Sequence, residues 1–165
     1  MTAVTDAIAL LEADHHAVQA LFARYRELAL TGAPAPARKE LAERICTELA
    51  VHTRLEEELF YPAVREALDD DDLVDDAEDA HAAAQNLVAQ LLALRAEDPL
   101  YDAKVAVLSE YVARHVRQER ERIFPRLRES GLDLRALGMS LSVRKDELEA
   151  VSQALREQML ASAVL

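Results

Sequence analysis

His52 and Glu56 stand four residues apart, and so do His115 and Glu119. On an α-helix, residues i and i+4 leave the same face, about 6 Å apart along the axis. Such a pair is either a helix-surface contact or half of a metal site. Both pairs lie in longer copies of one pattern. HTRLEEELFYP, residues 52–62, is echoed by HVRQERERIFP, residues 115–125. Position by position the copies share H-x-R-x-E-x-E-x-apolar-aromatic-P-x-apolar-R-E. His52, Arg54, Glu56, Glu58, Pro62, Arg65 and Glu66 match His115, Arg117, Glu119, Glu121, Pro125, Arg128 and Glu129 at a shift of 63. His15, Gln19 and Leu21 likewise match His81, Gln85 and Leu87 at a shift of 66.

The repeat selects among the histidines. His15 and His16 are adjacent and therefore point about 100° apart on a helix. His15 lies on an apolar stripe and aligns with His81, whereas His16 does neither and is read as peripheral to the site. Glu57 points away from His52 and Glu56, and Arg120 stands at its place in the second copy, so Glu57 is expected to be solvated. Glu58 matches Glu121 but lies off the proposed metal-facing side.

The elements that must position these residues follow from apolar periodicity. Helix one spans about residues 5–30, on the stripe Ile8, Leu11, His15, Val18, Phe22, Tyr25. TGAPAP breaks it. Helix two spans about 37–68, with Leu41, Ile45, Leu49, His52, Glu56 and Leu59 inside. The acidic run Asp69–Asp72 is the next turn, and part of it is expected to cap helix three. That helix carries Val74, Ala77, His81, Ala84, Val88 and Leu91. Asp98 and Pro99 read as the N-cap and first residue of helix four, which carries Val105, Leu108, Val112, His115, Glu119 and Ile123 and ends at Ser130–Gly131. Pro62 and Pro125 should kink or stop their helices. Beyond a short turn, a fifth amphipathic helix is expected from about Ser140, with Leu141, Leu148, Val151, Leu155 and Met159 on a face packed against the bundle.

The expected architecture is thus all-α: an up-down four-helix bundle over residues 1–130, made of two hairpins related by an approximate two-fold axis, with an additional C-terminal helix over 131–165. Depth supports it. His15 lies 15 residues before the end of helix one, and His52 lies 15 residues after the start of helix two. In an antiparallel hairpin they meet at one level. His81 and His115 meet in the same way, so all four reach one layer.

Composition agrees and excludes several functions. The 165 residues fit one domain, with 51% hydrophobic residues, 3 Gly, no Trp and 4% aromatics, dominated by Ala, Leu, Glu and Arg. The net charge of −12 opposes binding to nucleic acid or anionic membranes. No long uncharged apolar run and no nucleotide-binding glycine motif occur. Cys46 is the only cysteine. It fits a small core residue in a reducing compartment. The N-terminal stretch lacks a basic region followed by a long apolar run. A cytoplasmic protein is expected, as a monomer or homodimer. For Tyr25 and Tyr61 core packing is favoured over a place near the site, and Arg54 and Arg117 are read as partners of helix-face acids.

Four imidazoles and two carboxylates facing one core layer call for a cation. Two buried glutamates without partners would cost several kcal/mol. Two carboxylates suffice to bridge two ions, leaving two imidazoles for each and open positions for a bridging oxide or hydroxide and a small ligand. Mixed nitrogen and oxygen ligation of this kind suits iron or manganese. A structural zinc site is closed and usually cysteine-rich. Two ions are expected, iron or manganese, with zinc as a substitute.

This pattern resembles the hemerythrin-like HHE cation-binding family over about residues 8–130. The resemblance rests on Asp14-His15, His52/Glu56, His81, and His115/Glu119 with the trailing FP. It implies an up-down four-helix bundle around a non-haem di-iron centre. His15, His52, His81 and His115 would be terminal ligands, and Glu56 and Glu119 bridging carboxylates. Oxygen-carrying hemerythrins have a further ligand histidine four residues from the one matching His81. Here the flanking positions are Ala77 and Gln85. Their fourth helix carries HxxxxD, where this chain has HxxxE. A more symmetric centre is therefore expected, resembling the bacterial and iron-sensing members rather than the reversible oxygen carriers. The expected ligand is a small diatomic molecule or peroxide. The function is then binding of or reaction with dioxygen, peroxide or nitric oxide in stress defence or sensing, the alternative being iron storage or sensing without turnover.

Overall fold

Aspartates start three of the helices by accepting the backbone N–H three residues on: Asp6 from Ala9 at 2.8 Å, Asp70 from Leu73 at 3.2 Å and Asp133 from Ala136 at 3.0 Å. The computed structural model describes residues 5–161. It contains α1 (Ala7–Leu30), α2 (35–68), α3 (Asp71–Ala93), α4 (101–129), α5 (Leu134–Ala150) and α6 (Ser152–Ala161). No strand occurs among the described residues. The hairpins α1/α2 and α3/α4 close into an up-down bundle through α1 against α4 and α2 against α3. Helix α5 packs on α1 and α2, and α6 on α2 and α3.

Breaks between helices follow local chemistry. Gly32 and Gly131 take positive φ just after α1 and α4. Asp69 takes the left-handed conformation between α2 and Asp70, so the acidic run does supply the cap of α3. Asp98 and Pro99 do not open α4. The Asp98 side chain instead accepts the Leu100 N–H at 2.9 Å within a turn, and α4 begins at Tyr101.

The prolines neither stop nor visibly end their helices. Helix α2 runs as an α-helix over Ala35–Leu55, passes through a π-helical turn at Glu56–Phe60 and resumes over Tyr61–Leu68. Helix α4 repeats this with Tyr101–Gln118, Glu119–Ile123 and Phe124–Glu129. Proline has no N–H to give the carbonyl four residues back, and its ring crowds that carbonyl. Widening the preceding turn to i→i+5 hydrogen bonds accommodates both problems.

The C-terminal segment departs from expectation in two ways. Helix α5 starts at Leu134, because Asp133 caps it. The helix is also interrupted at Val151, which is 52% exposed, so Val151 leaves the predicted face while Leu141, Leu148 and Leu155 remain buried. The close approach of α5 to the start of α1 requires Gly138, since a Cβ there would collide with the Thr5 carbonyl oxygen.

The apolar core is divided. One cluster holds Ile8, Leu11, Leu55, Phe60, Val74, Ile123 and Leu127 with Leu141, Leu148 and Leu155 of the C-terminal helices. The other holds Val18, Phe22, Ile45, Leu49, Val88, Leu91, Leu108 and Val116. Cys46 belongs to the second cluster, where burial pushes its thiol up to about 12. Among the described residues no helix is long and apolar enough to cross a membrane.

Candidate metal centre

Between the two apolar clusters each bundle helix contributes one histidine to a common layer. His15, His52, His81 and His115 are at most 9% exposed, and Glu56 and Glu119 are fully buried. The Nε2 atoms of His15 and His52 lie 3.1 Å apart, and those of His81 and His115 lie 2.9 Å apart. Glu56 spans both pairs. Its Oε1 is 2.9 Å from His52 and 3.8 Å from His15, and its Oε2 is 2.8 Å from His81 and 3.6 Å from His115. Glu119 Oε1 is 3.0 Å from His115 and 3.4 Å from His15. Two potential ligand sets result: His15, His52, Glu56 and Glu119, and Glu56, His81 and His115. All six candidate residues from the sequence are brought together. His16 is not among them. It is exposed on the surface, 3.4 Å from Arg120.

The π turns explain a seventh member. In an α-helix Tyr61 would sit five residues and about 140° round from Glu56, facing elsewhere. The π turn instead closes with the Tyr61 N–H donating to the Glu56 carbonyl. That brings the side chain back to the face that carries the ligands. The Tyr61 hydroxyl is 3.1 Å from Glu56 Oε2, 3.1 Å from His81 Nε2 and 3.2 Å from His115 Nε2. The sequence favours core packing for Tyr61 over a place near the site, and its hydroxyl takes the less favoured position. The signal was Pro62, which demands a distorted turn before it. Tyr25 does lie away from the layer, donating to Asp102 at 2.6 Å.

The outer nitrogens of the imidazoles have unequal partners. His52 Nδ1 is 3.2 Å from Asp14 Oδ2. His81 Nδ1 is 3.4 Å from Glu57 Oε1, and Gln85 donates to the same oxygen at 3.3 Å. Glu57 is therefore a partner of the site and not simply a solvated side chain. His15 Nδ1 lies 3.6 Å from Glu12, whose carboxylate is held by Arg120 at 2.8 Å. His115 Nδ1 is buried without a hydrogen bond. Glu58 points away from the layer, as expected, and binds Arg144 of α5 at 2.7 Å. Arg54 lies 3.9 Å from the same carboxylate.

Charge in the layer is balanced by protons in the metal-free chain. Burial opposes ionisation of Glu56, but the His52 charge and the close approach of the other imidazoles hold its carboxyl well below the usual range. Burial likewise disfavours the imidazolium form of His115. The Glu119 charge outweighs it and raises His115 to about 10. His52 is also raised well above its ordinary value, against burial, by Glu56 and Asp14. The Tyr61 phenol is pushed far up by burial and by the nearby Glu56 and Glu119 charges. Asp14 is lowered despite its burial, by hydrogen bonds with His52 and Lys145.

The donor set fits metal ions on one further observation. Glu56 Oε1 and both oxygens of Glu119 are buried and make no hydrogen bond of acceptable geometry, although ring nitrogens lie as close as 2.9 Å. In each ligand set one oxygen of each carboxylate and one ring nitrogen of each histidine lie within 4.8 Å of one another. Donors about 2.1 Å from a common ion lie roughly 3 Å from each other, which is the spacing seen here. No thiolate is available, since Cys46 lies in the apolar cluster. Beside the four histidines is a cavity of about 40 Å³, walled by Val18, Leu49, Val88, Val112 and Val116.

Comparison with known proteins gives three matches. The hemerythrin HHE cation-binding domain profile matches residues 6–127. A Nostoc protein named DNA nickase is 29% identical over 119 residues, which is 72% of this chain but 32% of that protein. This chain therefore spans about a third of that relative's length. A crystal structure of a hemerythrin HHE cation-binding domain-containing protein from Mycobacterium kansasii superposes with a TM-score of 0.75. It covers 94% of this chain and 99% of its own, at 22% identity, and bears on the fold.

Proposed function

This chain belongs to the hemerythrin HHE cation-binding domain family, and from that premise we propose that it is a non-haem di-iron protein that binds or reacts with dioxygen, peroxide or nitric oxide. The observation that carries the reading is the convergence of buried, unsatisfied carboxylate oxygens with four imidazoles in one layer. His15 and His52 would hold one ion, and His81 and His115 the other. Glu56 would contact both, with Glu119 as the second carboxylate. Nitrogen and oxygen donors without thiolate favour iron over a structural zinc. Bound iron would supply a redox couple and a position for a small ligand.

The chain's own residues do the rest. The cavity beside the histidines, about 40 Å³ and lined in part by valine and leucine side chains, has room for small molecules only. That favours a diatomic gas or peroxide over an organic substrate. The Tyr61 hydroxyl can donate a hydrogen bond beside His81 and His115. The outer carboxylates of Asp14 and Glu57 orient two of the rings by accepting from Nδ1, which leaves Nε2 directed inward. Nicking of DNA, which the name of the Nostoc relative describes, is not carried over, because the net charge of −12 opposes a phosphate backbone.

Anaerobic purification, metal analysis and near-ultraviolet spectroscopy test this reading. About two iron ions per chain and a charge-transfer spectrum that changes on mixing with peroxide, nitric oxide or dioxygen are expected. Negligible iron would overturn the metal assignment. Iron that is bound but spectrally indifferent to all three ligands would favour storage or sensing without turnover.

A further inference from the structure

We propose that Lys145, on a helix outside the four-helix bundle, is a positioning residue for the histidine layer. The proposal rests on the metal reading above. Lys145 Nζ is 2.6 Å from Asp14 Oδ1, while the other oxygen of the same carboxylate, Oδ2, is 3.2 Å from His52 Nδ1. One carboxylate thus joins α5 to a candidate ligand on α2. With one oxygen fixed by an ammonium group, Asp14 cannot rotate without breaking a charge-assisted contact. The acceptor for His52 Nδ1 is thereby held in place, and Nε2 is left pointing at Glu56 and His15.

The surroundings make this more than an anchoring contact. Asp14 and Lys145 are both largely buried, with side-chain exposures of 13% and 27%. In the other half of the layer, Ala80 occupies the position matching Asp14 at the shift of 66, and the facing nitrogen, His115 Nδ1, has no hydrogen bond. The chain therefore ties a single ligand ring to α5. The next residue on the same helix, Arg144, is a built-in control. It fastens α5 to Glu58 at 2.7 Å, on the side of α2 that faces away from the layer.

Iron release from the full chain tests the idea. Wild type, Lys145→Met, Lys145→Arg and Arg144→Met would be loaded with ferrous iron anaerobically and mixed with a chelator. Lys145→Met is expected to release its first equivalent of iron about tenfold faster, the lower end of the effect of losing an outer partner. Its second equivalent should leave at the wild-type rate. Lys145→Arg should restore most of the difference, and Arg144→Met should release iron like wild type. Thermal unfolding of the metal-free variants separates loss of anchoring, which should be similar for the two methionine variants. Equal release by Lys145→Met and Arg144→Met, or acceleration of both equivalents alike, would overturn the positioning role. Failure of wild type to load iron would instead strike the metal reading itself.

Discussion

In the first hairpin, Tyr61 follows the π turn and brings a hydroxyl within 3.1 Å of Glu56. In the second, Phe124 stands at the same place, has no hydroxyl and stacks its ring 6.2 Å from that of His15. Next to the candidate ligand glutamates the halves differ again. Glu57 reaches His81 directly, whereas its counterpart Arg120 acts through Glu12 on His15. The six candidate ligands obey the repeat, and several residues that touch them do not. Backbone periodicity is thus shared between the hairpins, while hydrogen bonding and charge are specialised. Glu56 touches both histidine pairs, and Glu119 touches one member of each.

The largest effect should come from the glutamates. Glu56→Ala is expected to reduce iron content to background while the far-ultraviolet helical signal persists, because the change deletes a shared ligand and little packing. Glu119→Ala should lose less iron at the same protein concentration. Equal losses would mean that the halves are equivalent at the metal despite their different contacts.

A smaller effect should appear with pH in the metal-free protein. The histidines have raised values in the folded chain, so their pairing with Glu56 and Glu119 stabilises fully below the unfolded value of about 6.5. That stabilisation is lost as pH rises through the folded value, about 10 for His115. Between these limits the melting temperature of the metal-free protein should fall by several degrees, since each kcal/mol is worth about 2–4 °C at this size. Iron-loaded protein should fall less, because a bound cation replaces the protons. Parallel slopes for the two forms would remove protons as the substitute for metal.

The smallest effect separates Tyr61 from Phe124. Tyr61→Phe should cost the metal-free protein about 1 kcal/mol and shift the iron charge-transfer spectrum. Phe124→Tyr should leave that spectrum close to wild type. A matching shift from both variants would erase the asymmetry argued here.

Much of this arrangement was legible because it is periodic. Steps of three and four placed His15, His52, His81 and His115 on buried stripes, and the 63-residue echo singled out Glu56 and Glu119 from the acids around them. What escaped depends on departures from that period. Tyr61 reaches the layer only because the π turn after Glu56 shifts it from its α-helical angle, and Glu57 meets a histidine of the neighbouring helix rather than of its own. The early start of α5 turned on Asp133, a single capping side chain. The direct contact of Lys145 with Asp14 joins residues 131 positions apart, and no repeat or spacing rule connects them.

The π turns also make chain length a carrier of information. Each turn between ligand glutamate and proline holds one residue more than an α-helical path would need. Removing one residue between Glu56 and Pro62 would put Tyr61 four residues after Glu56 on an ordinary α-helical path, about 40° round and still on the same face, whereas adding one would turn everything downstream by about 100° relative to His52. With the added residue Tyr61 would leave the layer and Val64 its buried site, although every original side chain kept its identity. Substitution scans are blind to such a constraint. A single-codon insertion at this place is the genetic change that exposes it.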